Sequence, residues 1–152
     1  VVANMVNFLL TSAVLVVYLL IMKMNFANPS LIIPVLATHF ALCLGMGLMV
    51  SAANVFFRDT EHIIGIGTLA WFFLSPIFYS ISMQMDKLPD NMDWMAFLNP
   101  MTGILCAYRI CLMSGANPGW GFMGVSFAMS WTVLFAGLAV FQKCQVRFAE
   151  EL

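Results

Sequence analysis

The chain alternates long uncharged apolar stretches with short polar ones. Residues 1–22 carry no charge, and as a helix rising 1.5 Å per residue they reach about 33 Å, enough to cross a hydrocarbon core of roughly 30 Å. Lys23 and the segment MNFANPS then set a charge beside Asn25, Asn28 and Pro29, residues that favour a turn over a continuing helix. A second uncharged run extends from Leu31 to about Phe57, with Pro34 placed in a first turn where a missing N–H would be unpaired anyway. Arg58, Asp59, Glu61 and His62 follow within five positions, and no further Asp, Glu, Lys or Arg occurs before Asp86. An ionised side chain at the bilayer centre costs about 2.5 to 3.5 kcal/mol on insertion scales, so charges this dense mark a membrane boundary. The pattern predicts a polar hinge and then a third span from Ile63 to about Met83.

Asp86, Lys87, Pro89, Asp90, Asn91 and Asp93 form the most polar stretch, expected in water on the side opposite the hinge. The uncharged run from Trp94 to Tyr108 is broken by Asn99, Pro100 and Gly103 and closed by Arg109 and SGANPG. That length suits a re-entrant or interfacial hairpin better than a crossing helix. Gly121 to Gln142 reads as the last span, and the tail KCQVRFAEEL as a short helix leaving the membrane. The expected fold is all-α, a membrane bundle of about four spanning helices plus one hairpin. Two small-residue spacings, Gly47 with Ser51 and Ala128 with Thr132 and Ala136, are candidates for close helix packing.

Composition supports this reading and removes several functions. The chain of 152 residues is 62% hydrophobic and 9% charged, with a mean hydropathy of +0.96, which leaves no polar coat for a water-soluble domain. A formal net charge of -1 offers no basic surface for nucleic acid. Cys43, Cys106, Cys111 and Cys144 show no ligand spacing and read as buried free thiols. His39 reads as a hydrogen-bonded interior histidine rather than a metal ligand. The opening VVANMVNFLL lacks the basic region and cleavage site of a signal peptide, and the chain is expected to begin inside a larger protein. No nucleophile elbow, HExxH, P-loop or intramembrane carboxylate pair occurs, which argues against an enzyme and against a proton-driven pump. Charge leaves orientation tied: Arg58, Lys143 and Arg147 lie on one side, and Lys23, Lys87 and Arg109 on the other.

Trp71, Phe72, Phe73, Phe78 and Tyr79 crowd the far end of the third span around Ser75 and Pro76. They suit either an interfacial aromatic belt or a stacking surface for sugar rings. At about 100° per residue they cannot all face one way.

Together, the NVFFRD hinge, the LSPIFY end of the third span, the NPMTGILCAYR hairpin and the closing FAEEL resemble the membrane subunits of type-2 ATP-binding-cassette exporters, and among them the polysaccharide and polyol-phosphate export permeases. The resemblance covers essentially the whole chain and aligns it with the third through sixth spans of that family. Residues 1–152 are thus expected to be a partial permease domain, without the family's amphipathic amino-terminal helix, first two spans and main coupling helix. The resemblance implies a multi-pass protein of the bacterial inner membrane with no cofactor of its own. It also implies a second permease copy, two cytoplasmic ATPase subunits that bind ATP and magnesium, and as cargo a lipid-linked glycan of O-antigen, capsule or teichoic-acid type. Phe57, Arg58, Asp59 and Glu61 would then lie in a cytoplasmic hinge near the ATPase, and Arg58 with Asp59 would hold the loop, couple it to the ATPase, or both. Asn99, Pro100 and Arg109 would belong to an exterior gate, and Trp71, Phe72, Phe78 and Tyr79 are candidates for the glycan path. Two other classes remain open: a membrane-embedded transferase using Asp86, Asp90 or Asp93, and a non-transporting membrane scaffold.

Overall fold

The structure, a computed structural model, describes residues 2–21, 29–57, 59–77, 98–112 and 120–151. Among them are five α-helices and one short 3-10 turn, and no strand. Helix α1 is Val2–Ile21; the turn Pro29–Leu31 leads into α2, Ile32–Phe56; α3 is Thr60–Leu74, α4 is Pro100–Leu112 and α5 is Trp120–Glu151.

Three of these are long and apolar enough to cross a membrane: α1, α2 and the Met123–Gln145 part of α5. The third expected span is shorter than its hydrophobic run. Helix α3 has 15 residues, about 22 Å at 1.5 Å per residue, and stops at Leu74. The reason is Pro76, which has no N–H to continue the ladder and whose ring disfavours helical geometry at the residue before it. Ser75 is accordingly extended, at φ -90 and ψ 137, with its N–H still bonded to Trp71 O. Phe78 to Met83 of the expected span lie outside the described residues.

The bundle is built around α2 and α5, which run the same way and touch at glycines. A Cβ on Gly45 would sit 2.7 Å from the Leu134 backbone, and one on Gly137 would run into the carbonyl oxygen of Gly45. Only glycine at both positions lets the backbones meet, which is how helices gain packing where lipid supplies no hydrophobic drive between them. Ser51, paired with Gly47 in the sequence, is exposed. The Ala128, Thr132 and Ala136 face does not pack within the chain: those residues are exposed, and the face of α5 turned inward carries Ser126, Ser130 and Gly137.

Helix α4 fills the wedge between α2 and α5 beyond that crossing. Eight of its 13 residues are buried, Pro100, Thr102, Gly103, Ile104, Cys106, Ala107, Ile110 and Cys111, so it is a core element rather than an interfacial one. Small side chains at Gly103 and Ala107 let it in, and Ile104 and Ile110 join Val35, Leu42, Cys111 and Met123 in one apolar cluster. At about 20 Å it is too short to cross. Cys111, read in the sequence as a buried free thiol, is buried.

The two ends of the bundle are distinct. Phe56 and Phe57 at the foot of α2 share a groove with Lys143 and Cys144 of α5, so the hinge and the tail of α5 lie at one end. Asn99, which precedes α4, meets Ser75 after α3 at the other. Helices α1 and α3 stand apart. Only Leu19 of α1 is buried, and residues 62–70 of α3 are all exposed.

The glycine crossing generates the first prediction. In a full-length permease, Gly137→Ala should force α2 and α5 apart and destabilise the protein by about 1 to 3 kcal/mol, the usual cost of overpacking. Gly124→Ala, in the same helix with open space around it, should be neutral or gain up to about 1 kcal/mol from helix propensity. Thermal unfolding in detergent compares the two.

Candidate functional site

At the far end, the side chains of Trp71, Ser75, Asn99 and Arg109 repair the break in α3. Asn99 precedes Pro100 and caps α4: its Oδ1 accepts the Met101 N–H at 3.0 Å, and Pro100 occupies the first helical position, where no N–H is needed. The same Oδ1 accepts the Trp71 Nε1–H at 2.9 Å, and Asn99 Nδ2 donates to Ser75 Oγ at 3.0 Å. Ser75 Oγ donates in turn to Trp71 O at 2.9 Å. One amide thus joins the last turn of α3 to the first turn of α4.

Arg109, near the end of α4, makes the second link. Its Nη2 donates to Pro76 O at 2.6 Å and Ile77 O at 2.9 Å. These carbonyls lie past the end of α3, where no later turn of that helix can take them up. A guanidinium suits the task because its planar donors reach several acceptors and it stays charged. This also answers how a cation is tolerated in an apolar bundle: it faces protein carbonyls rather than lipid.

The residue before it faces another way. Tyr108 OH lies 3.2 Å from His39 Nδ1 on α2, and Phe8 of α1 packs edge-on to the His39 ring at 4.8 Å between centroids. His39 is thus a buried histidine in a side-chain hydrogen bond, as expected from its lack of partners in sequence. Below the pair opens a groove of about 550 Å³ lined by Asn4, Met5, Phe8, His39, Cys43, Met46 and Thr68, which separates α3 from α1 and α2.

At the hinge end, Phe57 leaves the helix at φ -131 and ψ 108 and is 68% exposed. Its backbone is held on both sides. The N–H donates to Ala53 O at 2.9 Å, and the carbonyl accepts the Thr60 hydroxyl at 2.6 Å. Asp59 opens α3 without using its side chain as a cap, so its exposed carboxylate stands at the positive end of the helix dipole. Two grooves flank Phe57. One, about 420 Å³, is shared with Phe56, Lys143 and Cys144; the other, about 660 Å³, runs between α2 and α3 along Ala53, Asp59, Thr60, Ile63 and Ile64.

The residue sequence of this chain fits the ABC-2 type transporter family over residues 1–113. The chain belongs to that family. Its relatives include two O-antigen export system permease proteins RfbA from Klebsiella pneumoniae, 28% and 29% identical over 96% of this chain and 55% of their own length. A protein of the same name from Myxococcus xanthus is 27% identical over 78% of this chain and 45% of its own length. The chain therefore spans about half the length of the relatives it matches. As a member of the ABC-2 family with permease relatives and three apolar helices, it is a multi-pass protein of the bacterial inner membrane.

Within this permease domain, Phe57 and Asp59 meet at the hinge, while Trp71, Asn99, Pro100 and Arg109 gather at the opposite end. Phe72 is exposed and stacks edge-on with Phe73 at 5.5 Å, whereas Trp71 is half-buried and commits its N–H to Asn99. Arg58, Phe78 and Tyr79, and also Asp86, Asp90 and Asp93, lie outside the described residues, and only the backbone of Glu61 is described. Sequence reasoning missed Ser75, Pro76 and Tyr108 as partners, and Lys143 as a neighbour of Phe57. A Ser-Pro pair at the end of an apolar run is a helix-stop signal that was available for the first two.

A double-mutant cycle tests the Asn99 bridge. Asn99→Ala should cost about 1 to 2 kcal/mol for the lost cap, with more for the stranded indole N–H. Trp71→Phe should cost less, and the two should couple by about 1 kcal/mol in unfolding measurements.

Proposed function

We propose that this chain is the carboxy-terminal part of the membrane subunit of an ATP-driven exporter that moves a lipid-linked polysaccharide across the inner membrane. The observation that carries the proposal is the similarity to O-antigen export permeases over 96% of the chain. Two copies of the full-length permease form the path, and two ABC ATPase subunits, which bind ATP and magnesium, attach on the cytoplasmic side. The hinge end is cytoplasmic and α4 lies toward the exterior.

The geometry supports this division of labour. Exposed Phe57 between two grooves, beside Asp59 and Lys143, is a surface on which a partner's side chains insert, combining an aromatic anchor with charges of both signs. Phe72 offers an exposed aromatic face in the exterior half of α3, suited to the apolar faces of sugar rings, with Phe78 and Tyr79 following it in sequence. Arg58 and Asp59 serve the ATPase contact, Asn99, Pro100 and Arg109 the exterior gate.

The decisive experiment reconstitutes the full-length permease with its ATPase in vesicles loaded with lipid-linked O-polysaccharide. Movement that requires ATP supports the reading, and movement independent of ATP, or none, rejects it. Arg58→Ala and Asp59→Ala should lower surface glycan several-fold while the permease remains in the membrane. Unchanged export with unchanged hydrolysis would remove these two residues from the coupling surface.

A further inference from the structure

Among the described residues, helix α3 is attached to the bundle almost entirely at its two ends. Between them its residues 62–70 are exposed, and grooves of about 660 and 550 Å³ separate it from α2 near the hinge and from α1 and α2 at mid-length. Its lower end is the hinge, where Thr60 Oγ1 donates to Phe57 O. Its upper end is the cluster of Trp71, Ser75, Pro76 and Ile77 bonded to Asn99 and Arg109. The helix between is a single rod of 15 residues, about 22 Å long.

A rod that the described residues of its own chain pack only loosely along its length and fasten at both ends transmits displacement from one end to the other. Helix α4, to which the upper end is fastened, is by contrast embedded in the apolar cluster with α2 and α5, and Tyr108 ties it to His39. We propose that α3 carries motion of the hinge to the exterior helix, and that Asn99 and Arg109 are positioning residues for export because they clasp α3 to α4 so that the two move together. This rests on the reading of the chain as part of an ATP-driven permease.

The clasp is suited to the role by its chemistry. Arg109 binds backbone carbonyls, which are present whatever side chains surround them, and Asn99 uses both ends of its amide across the same junction. A charge-assisted bond of this kind holds more firmly than a neutral one, so a pull on α3 is passed to α4 before the junction parts.

The test uses the full-length permease in complex with its ATPase. Asn99→Ala and Arg109→Gln should assemble, keep at least about half of the ATP hydrolysis and lose export by about tenfold or more, the loss expected when a charged or buried hydrogen bond is removed from a coupling step. Arg109→Lys, which keeps the charge, should recover part of the export. A second arm replaces the clasp with a covalent bond: on a background without other cysteines, Ser75→Cys with Asn99→Cys is defective when reduced and regains export when a short bifunctional thiol reagent joins the two. Normal export by the single variants, or parallel loss of hydrolysis and export, overturns the proposal. So does a cross-link that blocks export, which would mean that the junction must open, or the absence of any cross-link. If the unmodified complex shows no ATP-dependent export, the functional reading fails instead, whatever the variants do.

Discussion

A backbone carbonyl left without a donor inside a packed bundle has no water to turn to, and the arrangement of this chain follows from meeting that constraint at one point, beside the fully buried Pro76. Pro76 ends α3 after about four turns and frees the carbonyls beyond it. Arg109 takes two of them and the Asn99 amide takes Ser75 Oγ. Because one donor caps α4 and the other lies near its end, the repair also decides where α4 sits. The broken helix and the buried short helix are two halves of one solution, since neither polar junction is satisfied without the other.

Packing then fixes the remainder. With Gly45 and Gly137 in contact, α2 and α5 cross at a single tight point and open a wedge beyond it. Helix α4, narrow at Gly103 and Ala107, occupies the wedge. The polar pair His39 and Tyr108 lines its outer side, where Phe8 of α1 closes over the rings. Helix α3 receives little of this packing, and its exposed apolar faces at Ile63, Ile66, Leu69 and Phe73 suit a surface that meets lipid or further protein rather than this chain's own core.

What the sequence disclosed, it disclosed through periodicity and punctuation. The uncharged runs located α1, α2 and α5, because length against bilayer thickness is a one-dimensional quantity. Asn99 and Pro100, read as a break in an apolar run, are the cap and first residue of α4. Of the motifs that carried the family resemblance, described residues such as Phe57 and Asp59 sit at the hinge end, and Ser75, Pro76 and Asn99 at the other. The partners were not legible: Trp71 meets Asn99 across 28 positions and His39 meets Tyr108 across 69, and no local pattern encodes such pairings. The choice among glycines was hidden too. Gly45 and Gly137 make a backbone contact although neither belongs to a spacing that stood out in the sequence, because which face of a helix turns inward depends on its neighbours. Pro76 was legible but outweighed by the apolar run that continues past it, and the third span was read as longer than α3.

The central claim is that α4 does not cross the membrane, so the hinge and the tail of α5 share one side while the Asn99 junction lies toward the other. Site-directed thiol labelling tests it most directly, with single cysteines placed in the full-length permease at the exposed positions Leu98 and Lys143. A membrane-impermeant reagent added to intact cells should label Leu98→Cys and leave Lys143→Cys unlabelled until the membrane is permeabilised. Labelling of both from the same side would contradict the account.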